Sequence, residues 1–164
     1  MLAPVGWQDR DALRALKADP GSFALMLGGV RTAAQADAEL AADLAFWAAR
    51  GAGMWTVRAP GEAALLGITG LHDRPDGLGL GLRFAFWPWT RGRGLAREAA
   101  GAALRFAHDR AGIARVVAVA RESNTASRLV LGAIGMRACG GFQRDGEPML
   151  VFESLAAGAT DISR

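Results

Sequence analysis

Apolar and polar positions change period several times along this chain, and each change marks an element. Asp9 to Ala18 is a short amphipathic run at helical spacing, cut off by Asp19-Pro20-Gly21. Thr32 with Gln35 makes a capping box. Ala36, Leu40, Leu44 and Trp47 then line one helical face until Gly51 stops it. The pattern next predicts strands at Met54 to Arg58 and Ala63 to Leu71, joined by a turn at Ala59-Pro60-Gly61-Glu62. His72 to Gly77 reads as a loop that leads into an aromatic strand-like run, Leu80 to Trp89, reversing at Trp87-Pro88-Trp89-Thr90. Leu95, Ala99, Ala103 and Phe106 share a face of the following helix, which ends at Gly112. Arg115 to Ala120 is a β-branched strand, and a short helix follows Asn124. Arg144-Asp145-Gly146-Glu147 turns a hairpin between Met136–Phe142 and Met149–Glu153.

This order predicts an α/β (α+β) fold: one mixed sheet with helices on both faces. A chain of 164 residues forms one domain with a real core, spanning about residues 7–153. Residues after Leu155 are small and polar, so the tail over 156–164 is expected to fray.

Composition narrows the class. No run is long and apolar enough for a membrane span, and the N-terminus lacks a basic segment followed by an apolar core. The lone cysteine, Cys139, has no internal partner, which suits a reducing cytoplasm, and it reads as a small buried residue rather than a nucleophile. A net charge of +3 is weak support for nucleic-acid binding, and no nucleic-acid partner is expected.

The candidate chemistry sits in Arg91-Gly92-Arg93-Gly94-Leu95-Ala96-Arg97-Glu98. A strand, a glycine-rich turn and a helix start, in that order, make an anion site. The first helical amides have no intrahelical partner, and the helix end carries roughly half a positive charge. Gly92 and Gly94 admit close approach to the backbone, and Arg91, Arg93 and Arg97 add charge, so a pyrophosphate is the expected ligand. A P-loop is excluded because the only lysine is the distant Lys17. A dinucleotide fingerprint fails because Arg97 stands where its third glycine or alanine belongs. The bland alternative, arginines on a solvated helix face, stays open.

Arg91, Gly94 and Ala96 fit the pattern Arg-x-x-Gly-x-Ala. This resembles the coenzyme A motif of the GNAT-type N-acetyltransferases. A second segment agrees: the strand Arg115–Ala120, then Asn124-Thr125-Ala126-Ser127, then Leu131-Gly132-Ala133-Ile134-Gly135-Met136. The wording of both segments is most similar to the branch that includes the ribosomal-protein N-terminal acetyltransferases. The resemblance runs from about Trp7 to Glu153 and implies a mostly antiparallel sheet whose central strand pair splays apart. Met1–Val5 is then a short, irregular version of the family's first strand.

The resemblance implies acetyl-CoA as acyl donor and no metal. Pyrophosphate would lie on Arg91, Gly92, Arg93, Gly94, Leu95 and Ala96. Pantetheine would pair with backbone groups of about Phe86 and Trp87, near Asn124 and Ser127. The acceptor implied is a primary amine on a peptide N-terminus or a small molecule. Homodimers are common in the branch, though no residue here is diagnostic of one. A neutral amine would attack the thioester directly. The family's thiolate donor is often a tyrosine; this chain has none, and Ser127 is the candidate in its place. No carboxylate stands between Asp76 and Thr90, so base candidates are His72, Asp73, Asp76, Asp145 and Glu147, with His72 closest in ordinary pKa. A water relay is the alternative.

Other readings compete. Asn124 fits a plain helix N-cap and Ser127 a first-turn serine; Trp47, Trp55 and Phe106 read as core. Trp87 and Trp89 either pack on the core or wall an acceptor site. A non-catalytic CoA-binding or regulatory domain, and an acyltransferase for another acyl group or for antibiotics or polyamines, remain alternative functions.

Overall fold

The computed structural model describes residues 1–74 and 76–158; the tail expected over 159–164 lies outside them, as does Pro75 of the loop. Seven strands form one sheet in the order β1-β2-β3-β4-β5-β7-β6. They are β1 (Leu2–Pro4), β2 (Met54–Val57), β3 (Gly67–Asp73), β4 (Leu80–Phe86), β5 (Arg115–Arg121), β6 (Arg137–Arg144) and β7 (Glu147–Leu155). Every neighbouring pair is antiparallel except β4 and β5. The fold is therefore the expected mixed, mostly antiparallel sheet.

Five helices cover it: α1 (Arg10–Ala18), α2 (Pro20–Phe23), α3 (Ala33–Arg50), α4 (Leu95–Asp109) and α5 (Thr125–Ala133). The α3 capping box forms as its sequence predicts, with the Thr32 hydroxyl accepting from the Gln35 amide at 3.2 Å and the Gln35 side chain accepting from the Thr32 amide at 2.9 Å. Gly51 closes the helix in the left-handed region, at φ 63°. Pro20 ends α1 but also opens α2, because Asp19 accepts from the Ser22 amide and a proline at the first helical position loses no hydrogen bond. At the last hairpin, Asp145 and Gly146 lie at φ 52° and 78°, the two-residue turn whose twist matches its strands.

Two apolar layers hold the sheet between the helices. On one face Ala100, Ala103 and Leu104 of α4 and Leu131 of α5 pack on Trp55, Leu71, Leu82, Val116, Ala118 and Phe152. Trp47, Trp55 and Phe106 stack edge to face there, with ring centroids 5.1 and 5.3 Å apart. On the other face Leu13, Leu16, Phe23 and Leu40 of α1–α3 pack on Met54, Ile68 and Ala85.

Three expectations change. β3 begins at Gly67 rather than Ala63 and runs on through His72 and Asp73, because it stays paired with β4 as far as Asp73–Leu80. His72 is thus a strand residue, not a loop residue. Cys139 is exposed rather than buried: it lies on β6, an edge strand with no helix packed over it.

Candidate active site between the splayed strands

The parallel ladder between β4 and β5 has only two pairs, Leu80–Val116 and Gly81–Val117. Beyond them β4 stays paired with β3 up to Phe86 and β5 stays paired with β7, on its other edge, up to Arg121, but β4 and β5 no longer pair with each other. A gap opens in the sheet. Backbone groups alternate in direction along a strand. The Trp87 amide donates to the Leu66 carbonyl on the β3 side at 3.1 Å, so the backbone groups of Phe86 and Phe84 face the gap. Trp87 itself is committed, since its carbonyl accepts from both the amide and the hydroxyl of Thr90. The backbone of Trp87, expected to face the gap, is thus engaged within the protein, and the gap-facing groups on this strand are those of Phe84 and Phe86. Strand parity links residues 84 and 86, but only the register against β3 says which parity faces the gap. The Trp87 side chain packs on the α1–α3 layer, and Trp89 is exposed.

The glycine-rich turn lies at the mouth of this gap. Gly92 and Gly94 sit at φ 76° and 72°, a region that side chains disfavour. Among the described residues, and apart from the adjacent residues of the chain, no atom lies within 4 Å of where a Cβ would stand at either one. Gly94 is the N-cap of α4 with no side-chain cap, and the first helical bond runs from the Glu98 amide to the Gly94 carbonyl. The amides of Leu95, Ala96 and Arg97 are therefore left without partners inside the helix. Arg91 donates to the Gly21 carbonyl and ties this turn to α2. Arg93 is exposed and lies outside the cavity; Arg97 borders it.

That cavity, of about 340 Å³, runs from Gly92, Gly94 and Ala96 along Phe84 and Phe86 to Ser127. A smaller one, of about 70 Å³, continues to the other side of the gap, and Leu25, Met26, Phe84, Asn124 and Ser127 border both. Leu25 and Met26 carry no sequence motif; they arrive through the loop after α2. Asn124 caps α5, its Oδ1 accepting from the Ser127 amide at 3.2 Å. Among the described residues the Ser127 hydroxyl makes no hydrogen bond. It stands at the junction of the two cavities.

The smaller cavity also holds His72, Arg31, Arg74, Arg83 and Arg121. Burial, with the Arg83 charge second, pushes the His72 imidazole down to about 3. Its Nδ1 lies 2.9 Å from the Asp73 carbonyl oxygen. The ring is neutral at neutral pH, and its affinity for a proton is far below that of an ordinary histidine. The other base candidates are ion-paired: Asp73 with Arg50 at 3.3 Å, Asp76 with Arg74, Asp145 with Arg144 at 3.8 Å and Glu147 with Arg121 at 3.8 Å. Among the described residues no cluster of His, Cys, Asp or Glu could hold a metal ion, and no helix is long and apolar enough to cross a membrane.

Comparison with known proteins agrees with this geometry. The model of the acetyltransferase (GNAT) domain matches residues 1–137. A GNAT-family acetyltransferase from Bordetella pertussis superposes with a TM-score of 0.81 at 27% identity, covering 93% of each chain. An acetyltransferase from Agrobacterium tumefaciens gives 0.81 at 25% identity, over 93% of this chain and 88% of the other. A ribosomal-protein-alanine N-acetyltransferase from Brucella melitensis shares the fold at 17% identity, with a TM-score of 0.75 over 94% of this chain and 99% of its own. With the family's model matching residues 1–137, most of its own length, this chain belongs to the GNAT acetyltransferases.

Proposed function

We propose that the protein transfers an acetyl group from acetyl-CoA to a primary amine by direct attack in a ternary complex. The observation that carries this reading is the continuity of the gap. Uncapped amides of α4, gap-facing backbone of Phe84 and Phe86, and Ser127 follow one another along a single cavity. The same order suits pyrophosphate, pantetheine and thioester. Acetyl-CoA accompanies a Salmonella typhimurium acetyltransferase of this fold, with a TM-score of 0.70.

In this reading the amine enters through the smaller cavity and its nitrogen attacks the thioester carbonyl. Negative charge grows on the carbonyl oxygen, where a gap-facing amide of β4 donates to it. As the C–S bond breaks, the Ser127 hydroxyl hydrogen-bonds to the departing sulfur, and the ammonium proton passes to water. With His72 suppressed, bulk-connected water or an amine already neutral supports turnover best. The acceptors are amines on peptide N-termini or small molecules. Purified protein with acetyl-CoA and an amine and peptide library tests this by release of the CoA thiol. Amine-dependent release is expected. Binding of acetyl-CoA without amine-dependent release from any amine would make this a regulatory CoA-binding domain instead.

A further inference from the structure

We infer that the acceptor carries a carboxylate close to its amine, held by Arg83 and Arg121 in the smaller cavity; this rests on the acetyltransferase reading above.

Four arginines border that cavity and no aspartate or glutamate does. Two of the four are already satisfied. Arg31 donates to Glu39 and to the carbonyls of Gly29 and Leu27, and Arg74 is paired with Asp76. The other two are not. Among the described residues Arg83 makes no hydrogen bond, and its one ion pair is to Glu39 at 3.7 Å. Glu39 is itself taken at shorter range, by Lys17 at 2.6 Å and Arg31 at 2.5 Å. Arg121 likewise makes no hydrogen bond. Glu147 stands 3.8 Å away, and the buried Nε of Arg121 has no hydrogen-bond partner among the described residues. A buried donor left unpaired is costly, so the site is incomplete as protein alone.

Both guanidinium groups lie on one side of the sheet. Leu82, Ala118 and Ala120 pack into the α4 layer, so by alternation Arg83 and Arg121 project from the opposite face, on the two strands that flank the gap. Ser127 borders the same cavity. A carboxylate matches the planar fork of donors that a guanidinium offers, and the small cavity suits a group of that size. A polycation would meet four arginines and no lining carboxylate there. This separates the chain from a spermidine N-acetyltransferase of Vibrio cholerae that shares its fold at 12% identity with a TM-score of 0.74.

The test compares matched acceptors by CoA release. L-alanine against L-alaninamide probes an α-carboxylate. Alanyl-glutamate amide against alanyl-glutamine amide probes an acidic peptide side chain. Spermidine and phosphoethanolamine complete the set. One carboxylate acceptor is expected to exceed its neutral match by about ten-fold or more in kcat/KM, the scale of one charge-assisted hydrogen bond. Arg83→Gln and Arg121→Gln should each collapse that ratio while leaving acetyl-CoA affinity unchanged; Arg121→Lys should restore part of it. Equal rates within both pairs, preference for spermidine or phosphoethanolamine, or an unchanged ratio in both Gln variants would overturn the inference while the acetyltransferase reading stands. If no amine releases CoA, that reading fails and takes this one with it.

Discussion

The imidazole of His72 lies over Gly81, its partner across the β3–β4 ladder: a Cβ at position 81 would stand 2.6 Å from His72 Nε2. The glycine makes room for the ring beside Arg74, whose Cγ would lie 2.9 Å from that same Cβ. So confined between strand and arginines, His72 loses the solvation its charged form needs.

This confinement sets the first prediction. An essential base that titrates like a free histidine would give kcat/KM a rising limb near pH 6.5. With His72 down at about 3, that limb should be missing and the rate should climb toward the acceptor amine's own pKa. His72→Ala should leave the shape of the profile unchanged. A limb near neutral pH that vanishes in His72→Ala would return His72 to the role of base.

The glycine turn gives the second prediction. Valine at position 94 must adopt φ near 72° or distort the turn, and its side chain would occupy the space where phosphate would approach. Gly94→Val should weaken acetyl-CoA binding by about ten-fold or more in calorimetry, while the strain at φ 72° lowers the melting temperature by only a few degrees, about 2–8 °C. Arg93→Ala, at an exposed charge, should weaken it modestly and only at low salt. Parental affinity in Gly94→Val would sink the pyrophosphate assignment.

For Ser127 the expected signature is a split between binding and turnover. Its hydroxyl bond strengthens as charge builds on sulfur, so Ser127→Ala should lower kcat about ten-fold with acetyl-CoA affinity intact. Since Asn124 caps α5 through the Ser127 amide rather than the hydroxyl, the helix start should survive. Unchanged turnover would reduce Ser127 to a first-turn residue.

A fourth prediction concerns stability. Asp43 is buried on α3, and burial pushes its carboxyl up to about 6 against the attraction of Lys17 and Arg83. Between its unfolded value near 4 and that folded value, the native state holds a proton that the unfolded state has lost. Stability contributed by this group therefore falls as pH rises through that window. Asp43→Asn should be nearly neutral at pH 4 and stabilising by on the order of 2 kcal/mol at pH 7 and above, read from denaturant melts at both values. A destabilised variant at pH 7 would show that the ion pairs outweigh the burial.

Much of the architecture was legible in local residue order, because caps, turns and periodicity act within a few residues. The Thr32–Gln35 box, Gly51, the Asp145-Gly146 turn and the Gly92–Gly94 turn into α4 all appear where the sequence predicts them. The start of β3 was not legible. Its limits follow pairing with β4, a contact between distant segments that no local signal encodes.

What the sequence determined by itself is the chemistry carried on contiguous residues: an uncapped helix start behind two glycines, a strand leading into it, and an Asn-x-x-Ser turn after the next strand. Only the tertiary structure decided which backbone groups face the gap, since that depends on the β3–β4 register committing Trp87 to Leu66 and leaving Phe84 free. It also decided the electrostatics of the smaller cavity. Charges on α3, β3, β4 and β5 meet there, so Glu39 is saturated by Lys17 and Arg31 while Arg83 and Arg121 keep unfilled donors. His72 has its proton affinity lowered in the same place. Coulombic and desolvation energies depend on distance and burial in space, and neither is written in the order of residues along the chain.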